Sequence, residues 1–354
     1  MAAGNSGLIF YWMLMDSLDS LDSTDDPDDP EGLQHLVQQN NFGHHYPMPI
    51  LLPKNYPYSD KLKRKGVFVM SNTRGREQKI RPLKIGILNL MPTLEATEVQ
   101  LMGMLANTPL QVDLKLIMMQ TDHRKVEDLP HLGEFYVPFD EVKNEKFDGL
   151  IITGAPVEKL PFEKVDYWKD LASFMEHTKK NVFSTVHICW GAQAALYVHY
   201  GIQKTMMDHK LSGVFAHTLL HKSYDNPFTR GFDDRFLVPH SRYTMIDIEA
   251  VKATEDLEIL DESYFAGPHL IARKDGRQVF LSGHWEYDRG TLMKEYERDK
   301  ALKNIMPPFN YFVADKPEFG VEVTWKAHAN LFYSNWLNFV YQGTTYDIDE
   351  IANL

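Results

Sequence analysis

The chain has 354 residues, of which 44% are hydrophobic and 12% aromatic, so it can bury a sizeable core. Its formal net charge of -12 argues against a nucleic-acid partner, because phosphate binding needs a basic surface. No apolar run approaches the roughly 18 residues of a membrane span, so we expect no membrane association. Cys189 is the single cysteine and cannot form an internal disulfide, which fits a reducing cytoplasm.

The first 47 residues have a composition typical of disorder. The apolar run at residues 8–15 lacks a basic flank and a small-residue cleavage site, so it is a poor signal peptide. Residues 16–30 are acidic and broken by prolines, and they bury too little to repay the entropy of ordering. We therefore predict a disordered acidic extension over residues 1–47, with an acidic interaction tail or a natural start at Met48 as alternatives.

From residue 81 onward, the hydrophobic pattern alternates between strands and helices. Strands are predicted over residues 83–90, 110–118, 147–154, 181–188 and 278–282, and helices over residues 95–106, 167–177 and 192–200. This alternation predicts an α/β fold with a doubly wound, mostly parallel sheet. Ligands bind beyond the carboxyl ends of the strands in such sheets. Residues 153–156, Cys189 and His284 all follow predicted strand ends.

Cys189 stands where a nucleophile is expected. A strand, a sharp turn with a nucleophile and then a helix form the elbow of α/β acyl-transfer enzymes. The helix N-terminus directs N–H groups and a positive dipole end at the sulfur, which favours the thiolate. An isolated cysteine is more often an apolar core residue. Gly191 and a distant His-x-Glu motif favour the nucleophile.

Thiol catalysis needs a base and a group that orients the base. Residues 283–286 contain both, because residues two apart in an extended chain point to the same side. We therefore predict His284 as the general base and Glu286 as the acid that orients it.

A thioester mechanism passes through an oxyanion, which backbone N–H groups stabilise. The N–H of Trp190, directly after the cysteine, is the first candidate donor. Residues 89–92 and residues 153–155 are two alternatives for the second donor, and the sequence leaves both open.

Motifs for metal or phosphate chemistry are incomplete. His217 and His221 have the i, i+4 spacing of a zinc helix, but the glutamate of His-Glu-x-x-His is missing. The glycine-rich phosphate loops and the Gly-x-Ser-x-Gly motif do not occur in the sequence. We therefore expect no metal and no bound cofactor.

Taken together, the motifs resemble those of the homoserine O-acyltransferase family of methionine biosynthesis. The resemblance runs from about residue 48 to the C-terminus. It rests on the ordered segments 81–92, 147–156, 189–196, 210–213, 230–234, 239–243, 283–288 and 332–338. It implies a fold like the class I glutamine amidotransferase domain, a flavodoxin-like sheet with C-terminal additions. It also implies one catalytic domain over residues 48–354, and a homodimer.

The resemblance also implies roles for individual residues. Cys189 is implied to carry the acyl group as a thioester and His284 to act as the base. Lys210, Ser241 and Arg298 match positions that bind substrate. The Arg298 guanidinium suits the α-carboxylate of an amino acid through a bidentate fork.

The implied reaction is a ping-pong transfer. The Cys189 thiolate attacks an acyl-CoA, so that one thioester replaces another and CoA leaves. His284 then deprotonates the hydroxyl of L-homoserine, which takes the acyl group as an ester. Water must be excluded, or the enzyme becomes a thioesterase.

Glu158 is the position that the resemblance links to the acyl group. Family members with glutamate there are similar to acetyltransferases, and those with glycine accept succinyl-CoA. A carboxylate in the acyl pocket fills volume and repels a succinyl tail. We therefore expect acetyl-CoA as co-substrate, with succinyl-CoA as the alternative. A Glu158 side chain that faces water would play no part in this choice.

One departure from the family leaves the acceptor open. The family often has lysines where this chain has Thr93 and Leu94. Serine is shorter than homoserine by one methylene, worth only about 1–3 kcal/mol of discrimination, so O-acetyl transfer to serine is an alternative. Two further alternatives are a glutaminase or amidotransferase component with the same Cys–His–Glu set and a non-catalytic binding module.

Overall fold

The computed structural model describes residues 50–53, 55–64, 69–71, 81–119, 129–223, 225–302, 305–348 and 351. Within these residues the strands of the main sheet are β1 (Ile50–Leu52), β2 (Val69–Ser71), β3 (Leu83–Leu88), β4 (Val112–Met118), β5 (Tyr136–Pro138), β6 (Phe147–Ile152), β7 (Val182–Ile188), β10 (Leu257–Ile259), β12 (Leu270–Arg273) and β13 (Gln278–Leu281). Their spatial order is β10-β12-β13-β7-β6-β3-β4-β1-β2, with β5 beside β4. Every pairing from β13 to β2 is parallel, and only the edge pairs β10–β12 and β12–β13 are antiparallel.

The α-helices of the described residues are α1 (Ser59–Arg64), α2 (Leu94–Leu105), α3 (Leu129–Phe135), α4 (Phe139–Val142), α5 (Trp168–Asn181), α6 (Trp190–Tyr200), α7 (Ile248–Ala253), α8 (Thr291–Asp299) and α9 (Lys326–Gly343). None of these helices is long and apolar enough to span a membrane.

The two faces of the main sheet bury separate cores, because successive side chains of a strand point to opposite sides. In β6, Ile151 belongs to the core that also contains residues of α2 and α9. Its neighbours Leu150 and Ile152 belong to the core that contains residues of α5 and α6. Helices therefore cover both faces, and the predicted doubly wound, mostly parallel α/β fold is confirmed.

The predicted elements occur with small differences at their ends. Strand β3, which is the first predicted strand, ends at Leu88 rather than at residue 90. The chain turns there because the Asn89 side chain accepts the N–H of Met91 at 3.0 Å. The helix after β7 begins at Trp190, two residues earlier than predicted. The central strand β7 is buried along its whole length, which is typical of a parallel strand covered on both faces.

A second sheet, which the sequence pattern did not predict, lies between α6 and β13 in the chain. Its strands are β8 (Lys204–Leu219), β9 (Arg235–Ile246) and β11 (Asp261–Glu262), and all pairings are antiparallel. The β8–β9 register pairs Ser212 with Ser241 and Gly213 with His240.

The predicted acidic extension over residues 1–47 lies outside the described residues. Its disorder, and the boundary at residue 48, therefore stay predictions.

Candidate active site

Cys189 forms the sharp turn between β7 and α6. Its backbone has φ 51° and ψ −115°, and a positive φ is uncommon for a residue other than glycine. Two hydrogen bonds hold this conformation: the Cys189 N–H donates to Leu281 O at 2.7 Å, and the Gln193 N–H donates to Cys189 O at 3.1 Å. A strained backbone held by its neighbours is a frequent property of catalytic nucleophiles, and the thiol is half-buried here.

The loop after β6 lies against the nucleophile, and Gly191 allows the close approach. A Cβ added at Gly191 would lie 2.5 Å from the carbonyl oxygen of Thr153, so only glycine lets the first turn of α6 reach this loop. A Cβ added at Gly154 would lie 3.4 Å from the Cβ of Cys189. The turn at residues 153–155 is therefore a direct neighbour of the thiol, as its position after a strand predicted.

His284 follows β13 and reaches the thiol from the other side. The His284 imidazole and the Cys189 side chain lie beside the same glycine: a Cβ added at Gly154 would be 3.8 Å from Cε1 of His284 and 3.4 Å from Cβ of Cys189. Its Nδ1 lies 2.7 Å from Oε1 of Glu286. The imidazole also stacks on the ring of Tyr287, with centroids 4.2 Å apart and an angle of 15°. The three predicted catalytic side chains thus lie together, with His284 between Cys189 and Glu286, although they come from two separate segments of the sequence.

Two neighbouring charges control the protonation of His284. Burial by itself lowers the pKa of an imidazole, because it disfavours the charged ring. Here the Cys189 thiolate and the Glu286 carboxylate outweigh burial and raise the pKa of His284 well above 6.5. The electrostatics therefore favour the charged imidazolium form of His284, which is the partner that a nucleophilic thiolate needs.

The N–H groups beside the thiol divide into occupied and available donors. Those of residues 89–91 are occupied: Asn89 donates to Ile117 O, Leu90 to Thr153 Oγ1 and Met91 to Asn89 Oδ1. Within the described part of the chain, no acceptor takes the N–H groups of Trp190 and Gly154. Of the two predicted alternatives for the second oxyanion donor, the geometry therefore favours the segment 153–155.

A cavity of about 400 Å³ opens beside the base. Its walls come from the loop after β3, from α2, from the loop after β6 and from α8. The lining includes Thr93, Gly154, His284, Glu286, Tyr287, Thr291, Lys294, Glu295 and Arg298. This size and the mixture of both charges suit a small zwitterionic ligand.

The predicted substrate residues Lys210 and Arg298 meet at α8. Arg298 is part of this helix, and Lys210 of β8 contacts it. The ammonium of Lys210 lies 2.9 Å from Asp299 Oδ2 and 3.4 Å from Glu295 Oε2. The Arg298 guanidinium donates twice to Asp299, at 2.6 and 2.8 Å, so its fork is engaged within the protein. The bonds from Arg298 and Lys210 hold the pKa of Asp299 well below its usual range.

Glu295 is a functional candidate that the sequence analysis missed. Its carboxylate lines the cavity and accepts hydrogen bonds from Ser241 Oγ and, at 2.7 Å, from the hydroxyl of Tyr287. Burial, together with Glu295 and Glu286, raises the pKa of Tyr287 well above 10, so this phenol stays protonated and donates. The sequence contained one signal for Glu295: it lies three positions before Arg298, and residues at this spacing share a helix face.

Glu158 lies in the turn after β6 and is half-buried. It lines a second cavity of about 430 Å³, which shares Pro156 and Arg298 with the catalytic cavity. The turn is held by Lys204, whose ammonium donates to the carbonyl oxygens of Glu158 and Leu160. The side chain thus lies next to the catalytic cavity rather than on its wall.

Thr93 and Leu94, the two positions where the resembled family often has lysines, have different surroundings. Thr93 lines the catalytic cavity, whereas the side chain of Leu94 is buried in the core. Only the first position can affect a bound substrate directly.

Comparisons with known proteins show the family of the chain. The family model described as homoserine O-succinyltransferase matches residues 49–346. The chain belongs to this family of homoserine O-acyltransferases.

Curated relatives match over most of their length. A homoserine O-acetyltransferase of Petrotoga mobilis is 51% identical over 306 residues, which are 86% of this chain and 98% of that protein. A homoserine O-acetyltransferase of Clostridium tetani is 50% identical over 301 residues, 84% of this chain and 98% of that protein. Among solved structures, a glutamine amidotransferase from Thermotoga maritima aligns with a TM-score of 0.49 at 16% identity, covering 74% of this chain and 99% of that chain.

Proposed function

We propose that this acyltransferase moves the acetyl group of acetyl-CoA to the hydroxyl of L-homoserine through a thioester on Cys189. The observation that carries the proposal is the line Cys189–His284–Glu286 at the edge of a cavity with paired acidic and basic walls. The relatives named homoserine O-acetyltransferase support the same reaction. The product is an activated ester, which suits the methionine pathway that the family resemblance implies.

In the first half-reaction the Cys189 thiolate attacks the carbonyl carbon of the thioester. The N–H groups of Trp190 and Gly154 are the donors for the negative oxygen of the tetrahedral intermediate. The bond from carbon to the CoA sulfur then breaks, and the CoA sulfur takes the proton from the His284 imidazolium. The enzyme is left acetylated, with a neutral imidazole.

In the second half-reaction the neutral His284 takes the proton of the acceptor hydroxyl. The oxygen attacks the thioester carbon, and the bond from that carbon to the Cys189 sulfur breaks. The product is an O-acetyl ester, and the thiolate–imidazolium pair is restored. Glu286 keeps the charged ring stable and directed in both steps.

The acceptor's two charges match groups on α8. The Glu295 carboxylate, fixed by Ser241 and Tyr287, suits the α-ammonium group. Arg298 suits the α-carboxylate if its guanidinium exchanges Asp299 for the substrate. Lys210 helps to position both carboxylates of the helix.

The decisive test is a matrix of acetyl-CoA and succinyl-CoA against homoserine, serine and water, with CoA release as the readout. We expect acetyl-CoA with homoserine to give the highest kcat/KM. Intact mass should show one acetyl adduct with acetyl-CoA alone, absent in Cys189→Ser. Release of CoA from acetyl-CoA at the same rate without an acceptor, or ammonia from glutamine at comparable rates, would contradict the proposal. A homodimer stays a separate prediction, to be checked by light scattering.

A further inference from the structure

A chain of buried polar side chains crosses the second sheet outside the catalytic cavity. It joins Asp261, His217, His240 and Arg242, each at most 3% exposed. Nδ1 of His217 lies 2.8 Å from Oδ1 of Asp261, and its Nε2 lies 3.0 Å from Nε2 of His240. Nδ1 of His240 lies 2.7 Å from Nη1 of Arg242. The residues lie on β11, β8 and β9, so the chain depends on the pairing of three strands.

The protonation of both imidazoles follows from these contacts. A guanidinium can only donate, so Nδ1 of His240 accepts and its proton is on Nε2. That Nε2–H donates to Nε2 of His217, whose own proton is therefore on Nδ1 and donates to Asp261. Two neutral rings thus link a buried cation to a buried anion, with every ring nitrogen paired.

The two ends of the chain are fixed by further hydrogen bonds. The Asp261 carboxylate also accepts the backbone N–H groups of His269 and Leu270, at 2.9 and 2.8 Å. Nη2 of Arg242 donates to Ala266 O at 2.6 Å. Burial, reinforced by Arg242, holds the pKa of His240 well below 6.5, in agreement with a neutral ring. Burial lowers the pKa of Arg242 to about 10, so the guanidinium stays charged at neutral pH.

This chain contacts the backbone that carries the base. A Cβ added at Gly283 would lie 2.8 Å from Cε1 of His240, so the two are in direct contact. The Gly283 N–H donates to Nδ1 of His269 at 2.9 Å, and the His284 N–H donates to Pro239 O at 2.8 Å. The Arg242 guanidinium is also close enough to Cys189 for the two to interact electrostatically.

We propose that the buried chain Asp261–His217–His240–Arg242 is a positioning device for the catalytic pair. It keeps the Gly283–His284 backbone in place and holds the Arg242 charge in the electrostatic surroundings of Cys189. His217 and His240 act through Arg242 and Gly283 and do not contact the substrate. The inference rests on the proposed role of Cys189 as nucleophile.

The physical reason is the cost of a buried charge without a partner. A guanidinium in an apolar interior keeps its position and charge only when its hydrogen bonds are satisfied. The imidazoles supply the acceptor, and Asp261 orients them in turn. Loss of any member leaves a buried donor or acceptor unpaired, and the guanidinium then loses its fixed position.

The test variant is His217→Phe, which keeps a ring of similar size beside Phe236 but breaks both hydrogen bonds. His217→Gln is the conservative variant, because its amide can accept from His240 and donate to Asp261. His187→Phe is the matched control: His187 is also fully buried and stacked on a phenylalanine, Phe280, but among the described residues its ring bonds only to Val279 O.

The readout is the pH dependence of Cys189 alkylation by iodoacetamide, which is specific because the chain has one cysteine. In His217→Phe we expect the midpoint to rise by roughly one pH unit, since the Arg242 guanidinium is no longer held in its position near Cys189. We expect a roughly tenfold lower kcat/KM for acetyl-CoA with an unchanged KM for homoserine. His217→Gln and His187→Phe should keep the wild-type midpoint. A wild-type midpoint in folded His217→Phe, or an equal shift in His187→Phe, would overturn the proposal.

A measurement on the wild-type enzyme keeps the proposal testable if His217→Phe does not fold. In ¹⁵N-histidine NMR spectra, we expect His240 to be neutral with its proton on Nε2 and His217 neutral with its proton on Nδ1, from pH 6 to 8. Any other tautomer, or an imidazolium at either position, would refute the chain. Alkylation and NMR do not depend on acetyl transfer, so a failure of the proposed substrates is distinguishable from a failure of this inference.

Discussion

At the scale of single residues, the two oxygens of Glu286 have different surroundings. Oε1 is bonded to His284, whereas Oε2 is buried and has no hydrogen-bond partner among the residues described. The Glu286 carboxylate therefore forms its hydrogen bond with His284 alone among the described residues, and its charge adds to that of Cys189 on the imidazole. This arrangement explains why a buried His284 keeps a raised pKa.

Replacement of Glu286 by glutamine should expose this effect. Glu286→Gln keeps the size of the side chain but removes its charge, so the raised pKa of His284 falls and the imidazolium deprotonates at lower pH than in the wild type. We expect kcat to fall by about 100-fold or more. NMR titration of His284 and steady-state kinetics check both. An unchanged pKa of His284 would contradict the electrostatic role given to Glu286.

The acyl preference is a second question at the residue scale. Glu158→Gly removes the bulk and charge beside the catalytic cavity, so the ratio of kcat/KM for succinyl-CoA to that for acetyl-CoA should rise by about tenfold or more. Glu163→Gly is the matched control, because Glu163 is an exposed carboxylate of the same segment that lines neither the catalytic cavity nor the cavity beside it. Equal changes in both variants would remove Glu158 from the selectivity argument.

At the scale of elements, the site depends on how three segments approach one another. The first turn of α6 lies against the end of β6 through Gly191. Helix α8 supplies Glu295 and Arg298, and the second sheet supplies Lys210 and Ser241 to meet them. The nucleophile and the substrate groups therefore come from different elements, and their spacing is set by packing between those elements.

Gly191→Ala tests the approach of α6 to β6. The added Cβ would meet the Thr153 carbonyl oxygen at 2.5 Å, so the helix start must move. We expect a loss of about 1–3 kcal/mol in the free energy of unfolding and a lower kcat. Gly103→Ala in α2 is the control: its added Cβ meets nothing within 4 Å, and alanine favours the helix. Urea unfolding measures both, and equal stabilities would refute the close approach.

At the scale of the whole molecule, the catalytic residues Cys189 and His284 follow the carboxyl ends of two neighbouring parallel strands, β7 and β13. The family model covers residues 49–346, and the predicted acidic extension precedes this region. We expect a variant that starts at Met48 to keep the kcat and KM of the full chain. A loss of activity in this variant, with an unchanged melting temperature, would show that residues 1–47 have a role in the reaction.

The sequence by itself determined the α/β class, the order of the predicted elements and the candidates Cys189, His284 and Glu286. These follow from local signals: hydrophobic periodicity within each element, and a strand followed by a small-residue helix. The spacing His-x-Glu also joins base and acid within one segment, so no distant contact was needed to predict their pairing.

Only the tertiary structure decided which distant groups meet. Glu295 became a candidate through its contacts with Ser241 and Tyr287, and Gly154 through its nearness to the thiol. The buried chain from Asp261 to Arg242 depends on the register of β8, β9 and β11, which are far apart in sequence. Local patterns carry no information about such contacts, because strand pairing and the burial of charge are fixed only when the whole fold closes.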